Sequence, residues 1–476
     1  MNSASLSPVR VSLHRVADQA ADFLETLCSR KCCVTETPAD LFRTLDRPLP
    51  EAGSPADEVI CELVHDVERG LVASAGPRYF GFVMSSSTRG SLMADWLTST
   101  WDQNAQVYAT SPAAAAAEVI VARWLLELFG LPAGSSVGFV TGGQMANFTA
   151  LAAARNAVLE RAGWDVGTQG LFGAPAITVL VSECAHATVR SALRMAGIGS
   201  MQIREIPADS EGRMRLLSLE AEIRRATGHP MIVSLQAGNV NSGAFEPVNA
   251  VADLMQRENG WIHVDGAFGL WAAVSPELRL QLSGMQRADS WATDAHKWLN
   301  VPYDSGIVIV KNSAQHRRLK TSRCSYAGEE LDDRRDGSTW VPENSRRARG
   351  FVLYAVLREL GRSGIRAIVE KCCMLAREFA AGVARIPGAQ VVNEVSLNQV
   401  LVRWDPPMGN SADDFHRAIA SRVQADGRCW LGTTTWHGQT VLRFSICNAS
   451  TTAADISLAL QALAEAVCSA SAPIKK

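Results

Sequence analysis

The sequence predicts an α/β protein: a large domain with a mainly parallel sheet covered by helices, a helical segment before it, and a smaller α+β domain after it. Three observations lead to this prediction. Between residues 80 and 350, short apolar or β-branched runs alternate with longer helical stretches, which is typical of buried parallel strands joined by helices. Before residue 80, helical spacing is broken by prolines. After residue 350, helical and strand patterns are mixed.

The composition is that of an ordinary globular protein with more than one domain. The 476 residues are 47% hydrophobic and 20% charged, and the net charge of −2 gives no basis for nucleic-acid binding. No run approaches the roughly 20 apolar residues that span a bilayer, and residues 1–10 lack an apolar signal core. The adjacent pairs Cys32-Cys33 and Cys372-Cys373 are unlike spaced zinc ligands. We therefore expect reduced thiols, no metal, no membrane association and a cytoplasmic location.

The first 80 residues are predicted to be helical without forming a core of their own. Apolar residues at helical spacing predict a helix over residues 12–29, and a second helical pattern runs from Asp57 to about Leu71. Prolines separate the two. We assign residues 1–80 to this segment and expect it to pack on another surface, such as a second subunit.

The large domain is predicted to cover residues 81–350. Its predicted strands are Val137–Val140, Ile177–Val181, Met231–Leu235, Trp261–Val264, Ser290–Thr293 and Ile307–Val310. Sheets of this kind bind ligands at the carboxyl ends of their strands. The charged stretch Thr321–Arg349 has few apolar anchors and predicts a long loop, with a mobile lid at about residues 321–345.

The C-terminal α+β domain is predicted to cover residues 351–476. A helical pattern runs from Phe351 to about Ala384. It is followed by predicted strands at Gln399–Trp404, Cys429–Leu431 and Val441–Ile446. A last helix is expected to begin near Thr452, with Thr451 or Thr452 as its N-cap.

The strongest chemical signal is Lys297, which follows the predicted strand Ser290–Thr293 and is flanked by His296 and Trp298. Lysine forms Schiff bases where desolvation makes its amine reactive. The ordinary alternative is a buried lysine paired with a carboxylate. Asp265 ends another buried strand, where a carboxylate needs a partner. A protonated pyridine nitrogen is a suitable one, and a helix cap or salt bridge is the alternative.

Two further strand ends carry candidate ligand-binding residues. Thr141–Asn147 contains a Gly-Gly turn between a strand and a helix, an arrangement in which the helix N-terminus can bind a phosphate. His186 follows the strand Ile177–Val181 and is placed to stack on an aromatic cofactor. Each of these signals is weak alone, because most Gly-Gly pairs are turns and most lone histidines are structural.

Taken in order, these motifs resemble the group II pyridoxal 5′-phosphate (PLP)-dependent decarboxylases, which include the aromatic-L-amino-acid, glutamate and cysteine-sulfinate decarboxylases. The resemblance runs through nearly the whole chain. The motifs that carry it are Pro77–Phe82, Ser111–Ala113 with Glu118, Gly142-Gly143, Ala185-His186, His263–Asp265, His296–Trp298 and Ser345–Arg347. It implies the PLP-dependent transferase-like fold (fold type I), with a mainly parallel seven-stranded sheet. It also implies a homodimer whose active site lies near the subunit interface.

The resemblance implies decarboxylation of an L-amino acid to its amine and CO2, through an external aldimine and a quinonoid. The same scaffold also supports oxidative decarboxylation-deamination, carbon–carbon lyase and transaminase reactions. A non-catalytic PLP-binding regulatory protein is the alternative from another class. In this family, Lys297 would hold PLP as a Schiff base and Asp265 would pair with the ring nitrogen. His186 would stack over the ring, with Ala267 on its opposite face.

The remaining cofactor and catalytic roles are also implied by the resemblance. Gly143 and Gln144 would bind the phosphate through their N–H groups, and His296 would lie near the phosphate and the substrate. Tyr326, in the predicted lid, would return a proton to the substrate carbon after CO2 leaves. Relatives that oxidise the amine often carry phenylalanine at this place, so Tyr326 favours simple decarboxylation.

The sequence departs from the family pattern where the substrate and the cofactor oxygen would be contacted. Asn239 stands where many members have a Gly-Thr-Thr sequence, and we expect it to donate a hydrogen bond to the phenolic oxygen of PLP. Asn104 and Gln106 are polar where members with aromatic substrates are apolar. The candidate substrate residues are Phe82, Ser85, Asn104, Gln106, Arg346 and Arg443, and each of the two arginines is alternatively a structural ion pair. The sequence does not identify the amino acid.

Overall fold

The computed structural model describes residues 7–34, 36–256, 258, 260–320, 334–408 and 411–471. The α-helices are α1 (Pro8–Thr26), α2 (Pro38–Leu45), α3 (Ala56–Val67), α4 (Arg89–Trp101), α5 (Pro112–Phe129), α6 (Gly143–Arg161), α7 (Val166–Gln169), α8 (Ala187–Met195), α9 (Leu216–Ala226), α10 (Val248–Met255), α11 (Ser313–Arg317), α12 (Arg349–Val383), α13 (Ala412–Asp426) and α14 (Ala453–Ser471). Short 3-10 helices occupy Glu68–Gly70, Ser200–Gln202, Gly269–Val274, Leu278–Leu282, Met285–Arg287 and Gly337–Trp340.

The large sheet has seven strands in the order β1-β7-β6-β5-β4-β2-β3. These are β1 (Ser136–Val140), β2 (Thr178–Ser182), β3 (Ile203–Ile206), β4 (Met231–Gln236), β5 (Trp261–Asp265), β6 (Ser290–Asp294) and β7 (Gly306–Val310). All neighbours are parallel except β7, which runs antiparallel to both β1 and β6. The predicted α/β class and mainly parallel seven-stranded sheet are confirmed. Every strand that the sequence predicted here is present, and β3 is an additional strand.

Helices cover both faces of this sheet. One apolar core joins α6 and α8 to one face, through residues such as Leu151, Val189 and Val308. The other core joins α5, α9, α10 and α12 to the opposite face and continues into the C-terminal part of the chain. The strands other than the edge strand β3 are buried on both faces, so their sequences are mostly continuous apolar runs rather than alternating ones.

Because β7 is antiparallel, it begins at the edge of the sheet where the parallel strands end. Its first residue, Gly306, packs directly on the backbone of Gly142 in the turn after β1. A Cβ atom on Gly306 would lie 2.5 Å from the Cα atom of Gly142. A side chain cannot fit in this space, so the turn after β1 and the start of β7, which ends the turn after β6, are in direct backbone contact.

The C-terminal part contains an antiparallel sheet in the order β10-β11-β9-β8. Its strands are β8 (Ala389–Val391), β9 (Gln399–Trp404), β10 (Gly432–Trp436) and β11 (Gln439–Ser445). The prediction of a strand at Cys429–Leu431 was wrong, since these residues lie just before β10. Thr452 caps α14, because its Oγ1 accepts a hydrogen bond from the Asp455 N–H at 3.4 Å while the Asp455 carboxylate accepts from the Thr452 N–H at 2.9 Å.

Helix α14 is the one described helix that is long and apolar enough to cross a membrane by length and composition alone. The apolar runs in the sequence did not indicate such a helix. Its buried residues include Ile456, Leu463 and Val467, which belong to the apolar core shared with α12 and α13. The opposite face carries Glu465, which forms an ion pair with Arg428. This two-sided character is that of a helix packed on a protein core.

The N-terminal helices pack loosely on the rest of the chain. No residue of α1 or α2 is buried, and α1 exposes a stripe of apolar side chains that includes Val9, Leu13 and Val16. Helix α2 was not predicted, although Thr37 and Asp40 form a capping box at its start. The domain limits at residues 80 and 350 stay predictions.

Candidate active site

Seven predicted cofactor residues lie around one cavity of about 240 Å³ at the carboxyl edge of the large sheet. The turns after β1, β2, β5 and β6 bring them there, as expected for a sheet of this type. They are Gly143, Gln144, His186, Asp265, Ala267, His296 and Lys297. Lys297 and Asp265 therefore share a cavity, which is the geometric condition for both to contact one small cofactor.

Lys297 is held on the turn after β6 by a carboxylate that the sequence analysis had not singled out. Its Nζ atom lies 3.0 Å from Oδ2 of Asp294, the last residue of β6. The Oδ1 atom of Asp294 lies 3.5 Å from Nε2 of His296. Ser85 donates a hydrogen bond to the carbonyl oxygen of His296 at 3.1 Å, so it supports the lysine turn.

Asp265 ends β5 as a buried carboxylate. It accepts hydrogen bonds from Nδ2 of Asn147 at 3.1 Å and from the backbone N–H of Ala267 at 3.1 Å. Among the described residues, these donors are neutral N–H groups and no cationic side chain pairs with it. Burial raises the pKa of Asp265 above its ordinary value, although His186 and Lys297 act in the opposite direction. A cation placed in the cavity would stabilise the ionised form.

His186 lies at the N-terminus of α8, where its Nδ1 accepts a hydrogen bond from the N–H of Thr188 at 3.3 Å. This contact fixes the ring at the wall of the cavity. Burial is the main reason that the pKa of His186 lies below its ordinary value. The imidazole is therefore neutral at physiological pH, which suits stacking on a flat ring better than a charged side chain would.

The turn after β1 is tightly packed and leads into α6, whose N-terminus lies at the cavity. A Cβ atom on Gly143 would lie 2.8 Å from Oδ2 of Asp294, and one on Gly142 would lie 3.1 Å from Cε1 of His296. Glycine at both positions lets the backbone approach the cavity closely. The N-terminus of a helix offers free N–H groups and a positive dipole to an anion. The turn thus has the chemistry of a phosphate site.

Comparison with protein families gives the same result as the geometry. A family model described as the pyridoxal-dependent decarboxylase conserved domain matches residues 38–404.

The chain belongs to this family.

Individual relatives cover nearly the full length of this pyridoxal-dependent decarboxylase. The aromatic-L-amino-acid decarboxylase of Bacillus atrophaeus is 29% identical in an alignment of 473 positions that covers 95% of each chain. The acidic amino acid decarboxylase GADL1 of Homo sapiens is 26% identical over 447 residues, covering 90% of this chain and 84% of the relative. By their names, these relatives differ in substrate. The decarboxylation chemistry is therefore established and the substrate is not.

Solved structures of high similarity include decarboxylases with bound cofactor. The structure of Oryza sativa TDC with PLP and tryptamine has a TM-score of 0.91 and 24% identity, covering 99% of this chain and 100% of that chain. Mouse CSAD has a TM-score of 0.89 and 25% identity, covering 97% of this chain and 99% of the other. The similarity to TDC shows the fold alone.

The cofactor of this decarboxylase is PLP, and the cavity fits it. The buried carboxylate of Asp265 has no cationic partner among the described side chains, and the protonated ring nitrogen of PLP supplies one. The glycine turn leaves space that a Cβ atom would fill. The amine of Lys297 faces the same space. Within the described residues, no cluster of three or more His, Cys, Asp or Glu side chains could hold a metal ion.

Asn239 is engaged by its own turn in the described structure. Its Oδ1 accepts hydrogen bonds from the N–H groups of Asn241 at 2.9 Å and Ser242 at 3.2 Å, and its Nδ2 donates to the carbonyl oxygen of Cys184 at 3.3 Å. The side chain thus closes a turn and does not line the cavity, so its hydrogen bond to the cofactor oxygen stays a prediction. Gln236, Gly238 and Val240 of the same stretch line the cavity instead.

Arg346 is a structural ion pair and does not reach the cavity. It is buried, lies 2.6 Å from Glu118, and donates to the carbonyl oxygens of Ala105 at 2.9 Å and Phe139 at 3.1 Å. Both Nη atoms are engaged by protein atoms, so the structural ion pair that the sequence left open is present in the described structure. A contact between Arg346 and the substrate stays a prediction.

Three other predicted substrate residues lie away from this cavity in the described chain. Phe82 is 61% exposed and packs on Trp430. Asn104 uses its Oδ1 to accept from the N–H groups of Gln106 and Arg346. Gln106 accepts from the N–H of Ser338. Tyr326 falls outside the described residues.

Arg443 behaves differently from Arg346. Its Nη1 makes long hydrogen bonds to the carbonyl oxygen of Val240 at 3.4 Å and to Oδ1 of Asn241 at 3.3 Å. Among the described residues, none of its bonds is to a carboxylate. It lines a second cavity of about 670 Å³, which shares His186 and Val240 with the first. Burial lowers the pKa of Arg443, so an anion bound in this cavity would be well placed to stabilise it.

Proposed function

We propose that this decarboxylase converts an L-amino acid to its amine and CO2 without oxidising the product, and that Lys297 carries PLP as a Schiff base. The observation that carries the proposal is the convergence of Lys297, Asp265 and His186 on one cavity. A single buried cofactor uses all three. When bound, PLP supplies a sink for the electron pair left on the substrate carbon.

The chain's own residues would perform the remaining tasks. Asp265 keeps a proton on the ring nitrogen of the cofactor, and His186 and Ala267 hold the ring between them. Gly143 and Gln144 bind the phosphate through backbone N–H groups, with His296 beside them. Tyr326 returns a proton to the substrate carbon. We propose these roles from the family resemblance, and the positions of the described residues around the cavity support them.

Arg443 is the residue that we propose to bind a carboxylate of the substrate. Its side chain is partly buried at the wall of the second cavity, which adjoins the first at His186 and Val240, and the hydrogen bonds that it makes to neutral oxygens are long. A substrate carboxylate would give it a charge-assisted pair. Phe82, Ser85, Asn104 and Gln106 stay predicted substrate residues.

The reaction outcome is tested by offering the purified enzyme a panel of amino acids with PLP and measuring amine, CO2, ammonia, aldehyde and peroxide. We expect amine and CO2 in equal amounts without peroxide. The Tyr326→Phe variant should release amine more slowly and shift products towards aldehyde, because the carbanion then lacks its proton donor.

Borohydride reduction should attach the cofactor to Lys297 in the wild type and in a Lys311→Ala control. Attachment elsewhere, ammonia from the wild type, or PLP binding without turnover would refute the proposal.

We also propose that the chain is a homodimer in which α1 packs on the second subunit. The support is the exposed apolar stripe of Val9, Leu13 and Val16, which are 70%, 57% and 41% exposed. Light scattering after size exclusion should give twice the mass of the chain. Leu13→Glu with Val16→Glu should shift it to monomer, whereas Asp18→Lys on the opposite face should not. A wild-type monomer would contradict this.

We propose a cytoplasmic location, with no membrane or nucleic-acid partner. The support is limited to the net charge of −2 and the free thiol state of the described cysteines. Cell fractionation with antibody detection tests it, and recovery in the membrane pellet would contradict it.

A further inference from the structure

Asp265 is joined to a continuous chain of buried polar side chains, which begins at Asn147 on the wall of the cavity. Asn147 on α6 donates to Asp265 and lies 2.9 Å, through its Oδ1, from Nε2 of His263 on β5. The Nδ1 atom of His263 lies 2.9 Å from Oγ of Ser290 on β6. Ser290 is also 2.8 Å from the indole Nε1 of Trp261. All four side chains are at most 1% exposed.

The direction of these hydrogen bonds is fixed from both ends. The indole N–H of Trp261 can only donate, so Ser290 Oγ accepts from it. At the other end, the Asp265 carboxylate accepts from the Asn147 amide, which turns the Asn147 oxygen towards His263. Nε2 of His263 must therefore carry its proton, and its Nδ1 accepts from the Ser290 hydroxyl. Every donor in this series of four side chains therefore points towards Asp265.

The four hydrogen-bonded side chains carry no net charge. Burial lowers the pKa of His263 to about 3, so the imidazole is neutral and has a single N–H to donate. Hydrogen bonds aligned in one direction polarise each other in a low-dielectric interior. The aligned donors thus place partial positive charge next to the carboxylate of Asp265. None of these side chains is a cation that would compete with the cofactor nitrogen.

We propose that Asn147 and His263 are positioning residues that hold Asp265 as an oriented carboxylate for the ring nitrogen of PLP. This inference rests on the role proposed above for Asp265. Neither residue touches the reacting atoms in the proposal; Asn147 acts through Asp265, and His263 acts through Asn147. Neither residue was predicted from the sequence to have a role.

The 1-deaza analogue of PLP, in which a C–H group replaces the ring nitrogen, separates this role from a structural one. A residue that only supports the fold affects the binding of both cofactors equally. A residue that prepares Asp265 for a protonated nitrogen affects the preference for PLP over the analogue. The readout is the ratio of the two dissociation constants, measured on the apoenzyme by fluorescence titration.

We expect the wild type to prefer PLP, Asp265→Ala to lose that preference, and Asn147→Leu to reduce it by about 10- to 100-fold, the effect of one hydrogen bond to a charged group. Thr149→Val is the matched control on α6. Thr149 is also buried, but its hydroxyl donates to the Met145 carbonyl oxygen and not to this chain. The control should keep the wild-type ratio.

His263 gives an independent pair of variants if Asn147→Leu does not fold. Gln at position 263 keeps an N–H near the place of Nε2, whereas Leu removes it. His263→Gln should therefore retain most of the preference and His263→Leu should lose it. Equal weakening of both cofactors in Asn147→Leu or His263→Leu overturns the inference while leaving the role of Asp265 intact. Absence of any preference in the wild type overturns the role of Asp265, and the inference with it.

Discussion

Glu118 shows how a buried charge in this protein depends on its partners. The carboxylate is 1% exposed and is shared by Arg346 at 2.6 Å and Arg335 at 2.9 Å. Burial by itself would raise the pKa of Glu118, but Arg346 and then Arg335 outweigh it and hold the pKa below its ordinary value. Removing the carboxylate would leave two arginines facing each other in the interior.

Glu118→Gln should therefore destabilise the protein by about 3–5 kcal/mol, as loss of one partner of a buried ion pair does. Glu127→Gln is the control on the same helix, because Glu127 pairs with Arg362 at the surface, and it should cost less than about 1 kcal/mol. Because the folded pKa is depressed, the contribution of Glu118 is present above about pH 4.3 and is lost as pH falls further. Urea denaturation at pH 7 and pH 4 checks this. Equal midpoints for the two variants would show that the buried pair contributes little.

At the level of residues, the sequence indicated the site residues that lie at or just after the ends of strands. Lys297, Asp265 and His186 stood out because a polar residue directly after a buried strand is unusual. Asn147 and His263 did not, since one lies inside an alanine-rich helix and the other inside an apolar strand. A polar side chain on a buried face was the available signal for both. The bonds of Asn239 within its own turn were not predicted, because a sequence does not show which hydrogen bonds a turn uses.

Helix α12 is interrupted by a backbone conformation that only glycine adopts easily. Gly361 has φ of 58° and ψ of −178°, while the helix continues on both sides. A Cβ atom placed there would meet no other atom within 4 Å. The requirement for glycine is therefore conformational and not steric contact with neighbours.

Gly361→Ala should destabilise the protein by about 1–3 kcal/mol, the usual cost of a strained backbone region. Gly134→Ala is a suitable comparison, because Gly134 also has open space around it but a negative φ, and it should be close to neutral. Thermal denaturation of the two variants and the wild type measures the difference. If α12 simply straightens in the Ala variant, its stability will match that of Gly134→Ala and the explanation fails.

At the level of elements, strands that are buried on both faces were predicted well and edge strands were not. Strand β3 has exposed Arg204 and Glu205 at its centre, and β8 is only three residues long at a sheet edge. Neither gives the apolar run that identified the inner strands. The apolar residues Cys429 and Leu431 are buried without being in a strand, which explains why β10 was placed too early.

The stability of the whole molecule should depend on pH through Glu246. Its carboxyl group is 3% exposed at the junction between the turn after β4 and the segment before α9, where it accepts from the Met214 N–H at 2.9 Å. Burial is the largest cause that raises the pKa of Glu246 to about 8. Between pH 4.3 and 8, the folded chain therefore binds a proton here that the unfolded chain releases.

Because the folded pKa is raised, the wild type should lose stability as pH rises through this window, by at most about 1.4 kcal/mol per pH unit. Glu246→Gln cannot ionise, so its stability relative to the wild type should increase from pH 5 to pH 8 and then level off. Glu127→Gln should show no such trend. Urea midpoints at four pH values test the prediction, and a constant difference between Glu246→Gln and the wild type would exclude it.

The architecture as a whole followed from the alternation of strands and helices, but the assembly did not. Apolar spacing in α1 indicated a face in need of a partner, and the structure leaves Val9, Leu13 and Val16 exposed. Periodicity identifies such a face without identifying what covers it. The substrate is undetermined for a related reason: Arg346 and Arg443 look alike in sequence, and only their surroundings in the fold separate them.

The contact between Gly306 and Gly142 ties the lysine turn to the phosphate turn, backbone against backbone. In the proposed function, these two turns would bind opposite ends of PLP. The fixed distance between the two turns therefore limits the distance between aldehyde and phosphate in any molecule that binds to both. A vitamin B6 derivative whose phosphate arm is lengthened by one methylene should be excluded even though its ring and aldehyde are unaltered.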